Sequence, residues 1–157
     1  MGRGEDEVAA EPITADRLTV GDDGTLRSEA SQMVEEFHQT YGLPVRTMPG
    51  LDVGAGVQNL RKRLMREELD EVCTAIDRGD LIEVADGLAD LVYVVYGTAL
   101  SFGIDLDAVV REVHRSNMTK LGSDGHPIYR ADGKVMKGPG FELPRIAEAL
   151  GLAAEEG

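Results

Sequence analysis

Two acidic motifs lie close together in the sequence and carry residue types that bind divalent metal ions. The first consists of Glu67, Glu68 and Glu71, and the second of Glu83, Asp86 and Asp90. Carboxylate oxygens are the ligands that hard cations such as Mg²⁺ and Mn²⁺ prefer. At about 100° per residue, Glu68 and Glu71 share a helical face with Leu64 and Val72, so we expect them to face the core. Burying carboxylates is unfavourable unless a cation offsets the charge, so the pattern predicts a metal site.

The second motif is predicted to lie opposite the first. Glu83, Asp86 and Asp90 are spaced i, i+3 and i+7, which places them on one helical stripe. Only Gly79 and Asp80 join the two helices, so the helices should pack antiparallel and bring the motifs together. A groove with this many carboxylates can hold roughly one to three Mg²⁺ or Mn²⁺ ions.

Less specific interpretations apply to some of these acids. Asp70 lies with Arg63 on the polar side of its helix, so we assign it to a solvated face. Asp80-x-x-Glu83 matches a capping box, in which Glu83 would serve the helix terminus rather than a metal. A di-iron bundle requires Glu-x-x-His pairs, and of the three histidines only His38 follows a glutamate at that spacing. The same shortage of His and Cys disfavours zinc.

Helical segments separated by glycine and proline must position these motifs. Residues 1–27 are acidic and glycine-rich and predict a flexible arm with one short strand near Leu18–Val20. Helices are predicted over residues 28–41, 57–78, 81–102, 106–121 and, more briefly, 144–150. Alternation around Asp132-Gly133 predicts a small β-hairpin. We therefore expect an all-α four-helix bundle with a small C-terminal β-hairpin, as one domain over residues 28–150, followed by a tail over 151–157.

Charge and composition argue against several function classes. The formal net charge of −13 disfavours general affinity for nucleic acid polymers or membranes, since both require positive fields. One cysteine permits no internal disulfide, and the beginning of the chain lacks the apolar run of a signal peptide. The apolar stretch from Leu88 to Phe102 is too short to span a bilayer. We expect a soluble, cytoplasmic protein whose third helix is central and buried.

Residues beyond the acidic motifs could contact a ligand. Asn117 and Lys120 continue the inner face of the fourth helix if that helix persists, and could then contact a sugar hydroxyl and a phosphate. If the helix frays by Asn117, Lys120 reaches solvent instead. The hairpin adds Arg130, Lys134 and Lys137, which form a positive region in an otherwise acidic chain. Lysines that guard an edge strand against aggregation are the alternative interpretation of the hairpin cations.

The paired acidic motifs resemble those of a known superfamily. Glu67-Glu68-x-x-Glu71 followed by Glu83-x-x-Asp86 is similar to the pattern of the all-α nucleoside triphosphate pyrophosphohydrolases. That superfamily includes MazG, the dimeric dUTPases and phosphoribosyl-ATP pyrophosphohydrolase. Segments 114–120 and 134–139 look like those of MazG-like and phosphoribosyl-ATP-pyrophosphohydrolase-like members. The resemblance covers about residues 60–141 and implies a MazG-like bundle.

The resemblance also implies an activity and its residues. The enzyme would use Mg²⁺, which Mn²⁺ could replace, to convert a (deoxy)nucleoside triphosphate and water into a monophosphate and pyrophosphate. The implied metal ligands are Glu68, Glu71, Glu83 and Asp86, with Asp90 supporting a further ion or the second shell. Glu67 would activate the attacking water. The implied substrate-binding residues are Asn117 at the sugar or base and Lys120, Lys134 and Lys137 at the phosphates.

Relatives of this kind assemble as homodimers or homotetramers, and a very apolar third helix agrees with such an assembly. Two other functions stay open at this point. One is a phosphoribosyl-ATP pyrophosphohydrolase, and the other is a catalytically silent helical oligomer that binds a nucleotide or a partner protein. The preferred base is left open, since none of the aromatic residues selects one base over another.

Overall fold

The computed structural model describes Leu18–Val20 and residues 26–152, which form a mostly helical protein. The described elements are β1 (Leu18–Val20), β2 (Leu26–Ser28), α1 (Glu29–Thr40), α2 (Ala55–Arg78), α3 (Leu81–Phe102), α4 (Leu106–Asn117) and α5 (Ile146–Ala149). The all-α class is confirmed, and so is the short strand at Leu18–Val20. The other residues of the predicted arm before residue 26, and the tail after residue 152, lie outside the described part of the chain.

Short polar residues and one glycine set the helix ends that matter for the acidic motifs. The Asp80 carboxylate caps α3 by accepting hydrogen bonds from the N–H groups of Ile82 and Glu83, at 3.1 and 3.2 Å. The preceding helix ends at Gly79, whose φ of 69° is left-handed. Glycine adopts this conformation without a steric penalty. The turn between α2 and α3 is therefore as tight as the sequence predicts.

The most extensive contact between helices joins α2 and α3. A Cβ placed on Gly87 would lie 2.8 Å from Val72 Cγ2 and 3.5 Å from the Val72 Cα. Further along the pair, a Cβ on Gly97 would lie 3.0 Å from Nη1 of Arg61. Val72 of α2 lies beside Gly87 of α3, and the earlier Arg61 lies beside the later Gly97. The two helices are therefore antiparallel. Gly87 lets the two backbones approach at the level of the acidic motifs.

The core of the single chain is small, and α3 is less buried than expected. The buried hydrophobic residues among those described are Val34, Val72, Ala75 and Ala99. On α3, Leu81 and Ile82 are 79% and 80% exposed, and Leu88 and Val92 are about half exposed. The expectation of a central, buried third helix is therefore wrong for the single chain. The helix α3 carries apolar residues on all sides, whereas its main packing partners, α2 and α1, cover only part of its circumference.

The fourth helix departs from its expected course. It ends at Asn117 rather than continuing to residue 121, and it is bent by 112° from the direction of α3. Helices α1, α2 and α3 pack together, whereas α4 packs chiefly against α5 and β2. The complete four-helix bundle stays a prediction. The short C-terminal helix also forms, over a narrower range than expected.

The segment expected to form a hairpin contains a tight turn with one antiparallel bridge, between Tyr129 and Val135. The Met136 N–H donates to the Ile128 carbonyl at 2.7 Å, on the same side of the turn. These contacts position the turn over Asp132-Gly133 where the sequence places it. A full two-stranded hairpin stays a prediction.

A buried carboxylate fastens β2 to α4. Asp107 is only 7% exposed and accepts hydrogen bonds from the backbone N–H and the hydroxyl of Ser28, both at 2.9 Å. The Tyr96 hydroxyl donates a third bond at 2.8 Å. Since these bonds satisfy the buried charge, Leu26–Ser28 is held on the helices, and the predicted boundary at residue 27 passes through β2.

No single helix in the described part of the chain is long and apolar enough to cross a membrane. Helices α3 and α4 meet the length and composition criteria only when taken together, across the bend between them.

Candidate active site

The two acidic motifs face one another across the groove between α2 and α3. Burial raises the pKa of the Glu68 carboxyl, and the surrounding carboxylates raise that pKa further. In decreasing order of effect, they belong to Glu71, Asp90, Glu67 and Asp86. Because Coulomb repulsion weakens with distance, acids from both helices must lie near Glu68. We call this set, together with Glu83, the acidic groove.

The acidic groove is open rather than part of the core. Glu68 is half-buried, and its other members are exposed: Glu67, Glu71, Glu83, Asp86 and Asp90. The expectation that Glu68 and Glu71 point into the core is therefore wrong for Glu71 and only partly met by Glu68. Val72 occupies the buried position against α3, and the acids lie on the rim beside it. Solvent thus screens much of the repulsion between these carboxylates.

A cavity of about 370 Å³ opens where α2 turns into α3. Its lining includes Asp70, Glu71 and Glu83 together with Arg78. Asp70, which its spacing assigns to a solvated face, is exposed and lines this cavity beside two groove acids. Glu71 and Glu83 belong to both the groove and this cavity, which makes the cavity an extension of the groove.

The Glu83 carboxylate is not engaged in a capping box. The Asp80 side chain accepts a bond from the Glu83 N–H, which is the first half of that motif. The second half requires the Asp80 N–H, which instead donates to the Ala75 carbonyl at 3.1 Å. Glu83 is therefore free to serve the groove, and the capping-box alternative accounts only for Asp80.

The donor set of the acidic groove suits a hard divalent cation. All of its side chains offer oxygen, and Mg²⁺ commonly takes one or two carboxylates and completes its shell with water and substrate phosphates. Within the described ranges, no three His, Cys, Asp or Glu side chains converge closely enough to hold a metal ion by themselves. Mutual repulsion keeps carboxylates apart. The residues therefore fit the ion by their chemistry rather than as a preformed cage.

The predicted substrate-binding residues lie at the end of α4 and beyond it, and they do not contact the groove acids. These are Asn117, Lys120, Lys134 and Lys137. No hydrogen bond or ion pair in the described structure joins any of them to the acidic groove. The helical continuation that would carry Lys120 on the inner face does not form, because α4 ends at Asn117 and the Thr119 hydroxyl donates to the Ser116 carbonyl at 2.7 Å. Lys137 Nζ lies 4.5 Å from the ring centroid of Phe141.

A buried basic pair that the sequence argument missed lies at the other end of the α2–α3 contact. Arg61 and His38 are 6% and 2% exposed, and both adjoin Gly97 of α3. The only sequence signal for the burial of Arg61 is that it stands seven residues before Glu68 and therefore shares the helical face of that residue.

Comparison with known proteins adds two findings. A family model described as phosphoribosyl-ATP pyrophosphohydrolase matches residues 34–117, just over half of the chain. An uncharacterized protein of Acanthamoeba polyphaga mimivirus is 32% identical over 109 residues, which are 68% of this chain and 41% of that protein. The chain thus spans about two fifths of the length of that curated relative. The family match includes all members of the acidic groove.

Proposed function

The chain belongs to the phosphoribosyl-ATP pyrophosphohydrolase family, within the MazG-like all-α superfamily, and on this premise we propose that it is a Mg²⁺-dependent nucleoside triphosphate pyrophosphohydrolase. The proposed reaction converts a (deoxy)nucleoside triphosphate and water into a nucleoside monophosphate and pyrophosphate. The observation that carries the proposal is the approach of the two acidic motifs across the α2–α3 groove, where burial and then the neighbouring carboxylates raise the pKa of Glu68.

The groove acids divide into metal ligands and a general base. The ligands of Mg²⁺ or Mn²⁺ would be Glu68, Glu71, Glu83 and Asp86. Asp90 would support a further ion or hydrogen bond the ligands from outside. When bound, the ion would neutralise the phosphates and stabilise charge at the α-phosphorus. Glu67 is exposed and lies 3.5 Å from Arg63 Nε in a surface ion pair. A carboxylate this weakly held can turn to accept the proton of a water molecule.

The chemical step then balances without another reactant. The water oxygen forms a bond to the α-phosphorus, and its proton passes to the Glu67 carboxylate. The bond from the α-phosphorus to the oxygen that bridges it to the β-phosphorus breaks, and the electron pair leaves with pyrophosphate. Lys120, Lys134 and Lys137 would steady the phosphates by attraction, and Asn117 would hydrogen bond the sugar or base.

The exposed apolar residues of α3 support assembly into a homodimer or homotetramer. Leu88 and Val92 lie one turn apart and are each about half exposed. A contiguous apolar face of this kind is typical of interaction sites. Light scattering should report a dimer or tetramer for the wild-type chain and a smaller species for Val92→Lys.

A second candidate function is favoured by the family match itself, namely hydrolysis of phosphoribosyl-ATP. The experiment that separates the candidates measures pyrophosphate and nucleoside monophosphate from a panel of nucleotides that includes phosphoribosyl-ATP. Each reaction is run with Mg²⁺, with Mn²⁺ and with a chelator. We expect metal-dependent pyrophosphate release from ordinary (deoxy)nucleoside triphosphates. Release from phosphoribosyl-ATP alone would favour the second candidate, and no release from any nucleotide would indicate a silent binding protein.

Matched variants test the assigned residues in the same assay. Glu71→Gln and Asp86→Asn should each lower the rate about 10²-fold, because each removes one charged ligand. Asp77→Asn is the control, since Asp77 is an exposed acid of α2 outside the groove and its cavity. Full activity of a folded Glu71→Gln or Asp86→Asn variant would contradict the assignment.

A further inference from the structure

The cavity at the turn from α2 to α3 contains a cation that the described residues do not neutralise. Among the described residues that line it, Arg78 alone is basic, and the others are acidic or small: Asp70, Glu71, Thr74, Ala75, Asp80 and Glu83. No described residue forms an ion pair with the Arg78 side chain, although carboxylates share its cavity. A guanidinium carries several N–H donors. Arg78 therefore brings free donors to a cavity that continues the acidic groove.

Small side chains keep the cavity open between Glu71 and Arg78. Thr74 and Ala75 occupy the intervening turn, and Ala75 is buried against α3. The Thr74 hydroxyl donates to the Asp70 carbonyl at 2.8 Å, so it is bonded to its own helix and does not reach across the cavity. The volume of about 370 Å³ lies in the range of ligand pockets.

The spacing along α2 places Arg78 on the same helical face as two groove acids. Glu67 and Arg78 are eleven residues apart, which is about three turns, so they share a face and lie about 16 Å apart along the axis. Glu71 lies between them on that face. Because helical side chains lean toward the N-terminus of their helix, Arg78 extends from the end of α2 toward Glu71.

This order along α2 suits an in-line displacement at phosphorus. In such a reaction the attacking and the leaving oxygen lie on opposite sides of the phosphorus atom. Glu67, the proposed base, and Arg78 lie on opposite sides of Glu71, a proposed metal ligand. With the α-phosphate at the metal ligands and the water at Glu67, the β- and γ-phosphates would extend into the cavity toward Arg78.

The carboxylates of the cavity leave room for a phosphate chain in electrostatic terms. Asp80 accepts hydrogen bonds from the backbone N–H groups of Ile82 and Glu83. Glu71 and Glu83 are proposed metal ligands, and a bound divalent ion reverses the sign of the local charge. Asp70 is exposed, so solvent screens its charge.

We propose that Arg78 binds the β- and γ-phosphates of the substrate and stabilises the pyrophosphate that leaves. This inference rests on the proposed function and names a further substrate-binding residue for it. A planar guanidinium pairs with two phosphate oxygens at once, whereas an ammonium acts as a point charge. Negative charge grows on pyrophosphate as its bond to the α-phosphorus breaks, so the contact tightens in the transition state. Arg78→Gln should therefore lower kcat.

Calorimetry with inorganic pyrophosphate and Mg²⁺ tests the contact separately from hydrolysis. Arg78→Gln should bind pyrophosphate more weakly than the wild-type protein, on the order of tenfold. Arg78→Lys keeps the charge and should recover part of the lost affinity. Both variants should bind dUMP, dCMP, dGMP and dAMP as the wild-type protein does, because a monophosphate occupies the α-position. Lys62→Gln is the matched control, since it removes an exposed cation of α2 outside the groove and the cavity, and it should bind pyrophosphate normally.

Melting temperature distinguishes recognition from a role at the end of the helix. A cation in the last turn is favourable to a helix through its charge alone, so Arg78→Lys should melt as the wild-type protein does when no ligand is present. Pyrophosphate with Mg²⁺ should raise the melting temperature most for the wild-type protein, less for Arg78→Lys and least for Arg78→Gln. Equal rises in all of them would assign Arg78 to the helix end and overturn the proposal.

The binding data contradict the proposal in other ways as well. It is overturned if the wild-type protein does not bind pyrophosphate, or if Arg78→Gln and Lys62→Gln weaken that binding alike. It is also overturned if Arg78→Gln weakens binding of the monophosphates as much as binding of pyrophosphate. If pyrophosphate binding depends on Arg78 but no nucleotide is hydrolysed, the Arg78 site stands and the proposed hydrolase fails. Hydrolysis that does not depend on Arg78 has the opposite meaning.

Discussion

The contact between Gly87 and Val72 gives a quantitative test of the geometry that brings the acidic motifs together. We consider Gly87→Ala, which adds one methyl group to α3 at a close contact with α2. In the middle of a helix this change contributes about 1 kcal/mol of stability through propensity alone. The added Cβ, however, would lie only 2.8 Å from Val72 Cγ2, and the contact has to be relieved by movement.

Val72 cannot relieve this contact easily. It is 5% exposed, and a β-branched residue in a helix has one strongly preferred χ1 rotamer. Overpacking of this kind destabilises by about 1–3 kcal/mol, which exceeds the gain in propensity. We expect Gly87→Ala to be destabilising by about 1 kcal/mol, which lowers Tm by about 2–4 °C for a chain of this size. The helices should also separate, spread the carboxylates and reduce pyrophosphate release.

Thermal denaturation of three further variants isolates the cause. Gly56→Ala makes the same change in α2, where no atom lies within 4 Å of the added Cβ, so its Tm should stay level or rise. Val72→Ala removes the Cγ2 methyl group, so in that background Gly87→Ala should no longer be destabilising. If Gly87→Ala alone raises Tm as Gly56→Ala does, the helices are not in the close contact from which the site is argued.

Three other perturbations have defined outcomes. Burial lowers the pKa of His38 from its ordinary 6.5, so the unfolded chain takes up a proton first and stability is lost as pH falls below that value. Between pH 7 and pH 5, the Tm of His38→Gln should therefore decline less than the Tm of the wild-type protein. Equal declines in Tm for the two proteins would contradict this. The Glu112 carboxylate of α4 accepts hydrogen bonds from Arg115 and, at 2.7 Å, from the Arg145 backbone N–H, and this contact tethers the chain before α5 to α4. These bonds lower the pKa of Glu112 to about 2, so the tether is present above the ordinary pKa of 4.5 and is lost as pH falls toward 2. Glu112→Gln should therefore speed tryptic cleavage within residues 120–137 at pH 7, whereas an unchanged rate would mean that this tether does not hold the segment. Lys120→Ala and Lys137→Ala should each mainly raise KM, because Lys120 lies beyond the end of α4 and both lysines would contact the phosphates equally in the ground and transition states. Unchanged kinetics in both variants would place these lysines in solvent.

Local features of the fold could be predicted from the sequence because neighbouring residues determine them. Asp80 caps α3 as its capping-box pattern predicts, Ser28 caps α1, and Gly79 and Gly103 end α2 and α3 in the left-handed conformation. The order of the helices follows from such signals. The end of α4 was not predictable in this way, because the side chain of Thr119 ties the chain to Ser116 and to the backbone of Glu142.

Burial was the least predictable property, since it depends on what covers each face. The composition of α3 indicates a buried helix, but α1 and α2 cover only part of it, and Ile82 is 80% exposed. The approach of the acids of α2 and α3 follows from the short turn between the two helices, whereas the cavity that Asp70 lines depends on how the helices pack. Arg61 looks like a surface charge in the sequence, because a buried guanidinium differs from an exposed one only in its three-dimensional neighbours.

The most direct test of the central claim follows the oxygen of the attacking water. The wild-type enzyme is incubated with Mg²⁺ and the best nucleoside triphosphate of the panel in ¹⁸O-labelled water, and the products are weighed by mass spectrometry. Attack at the α-phosphorus from the acidic groove predicts one ¹⁸O atom in the nucleoside monophosphate and none in pyrophosphate. Label in pyrophosphate, or release of labelled orthophosphate in its place, would contradict the mechanism.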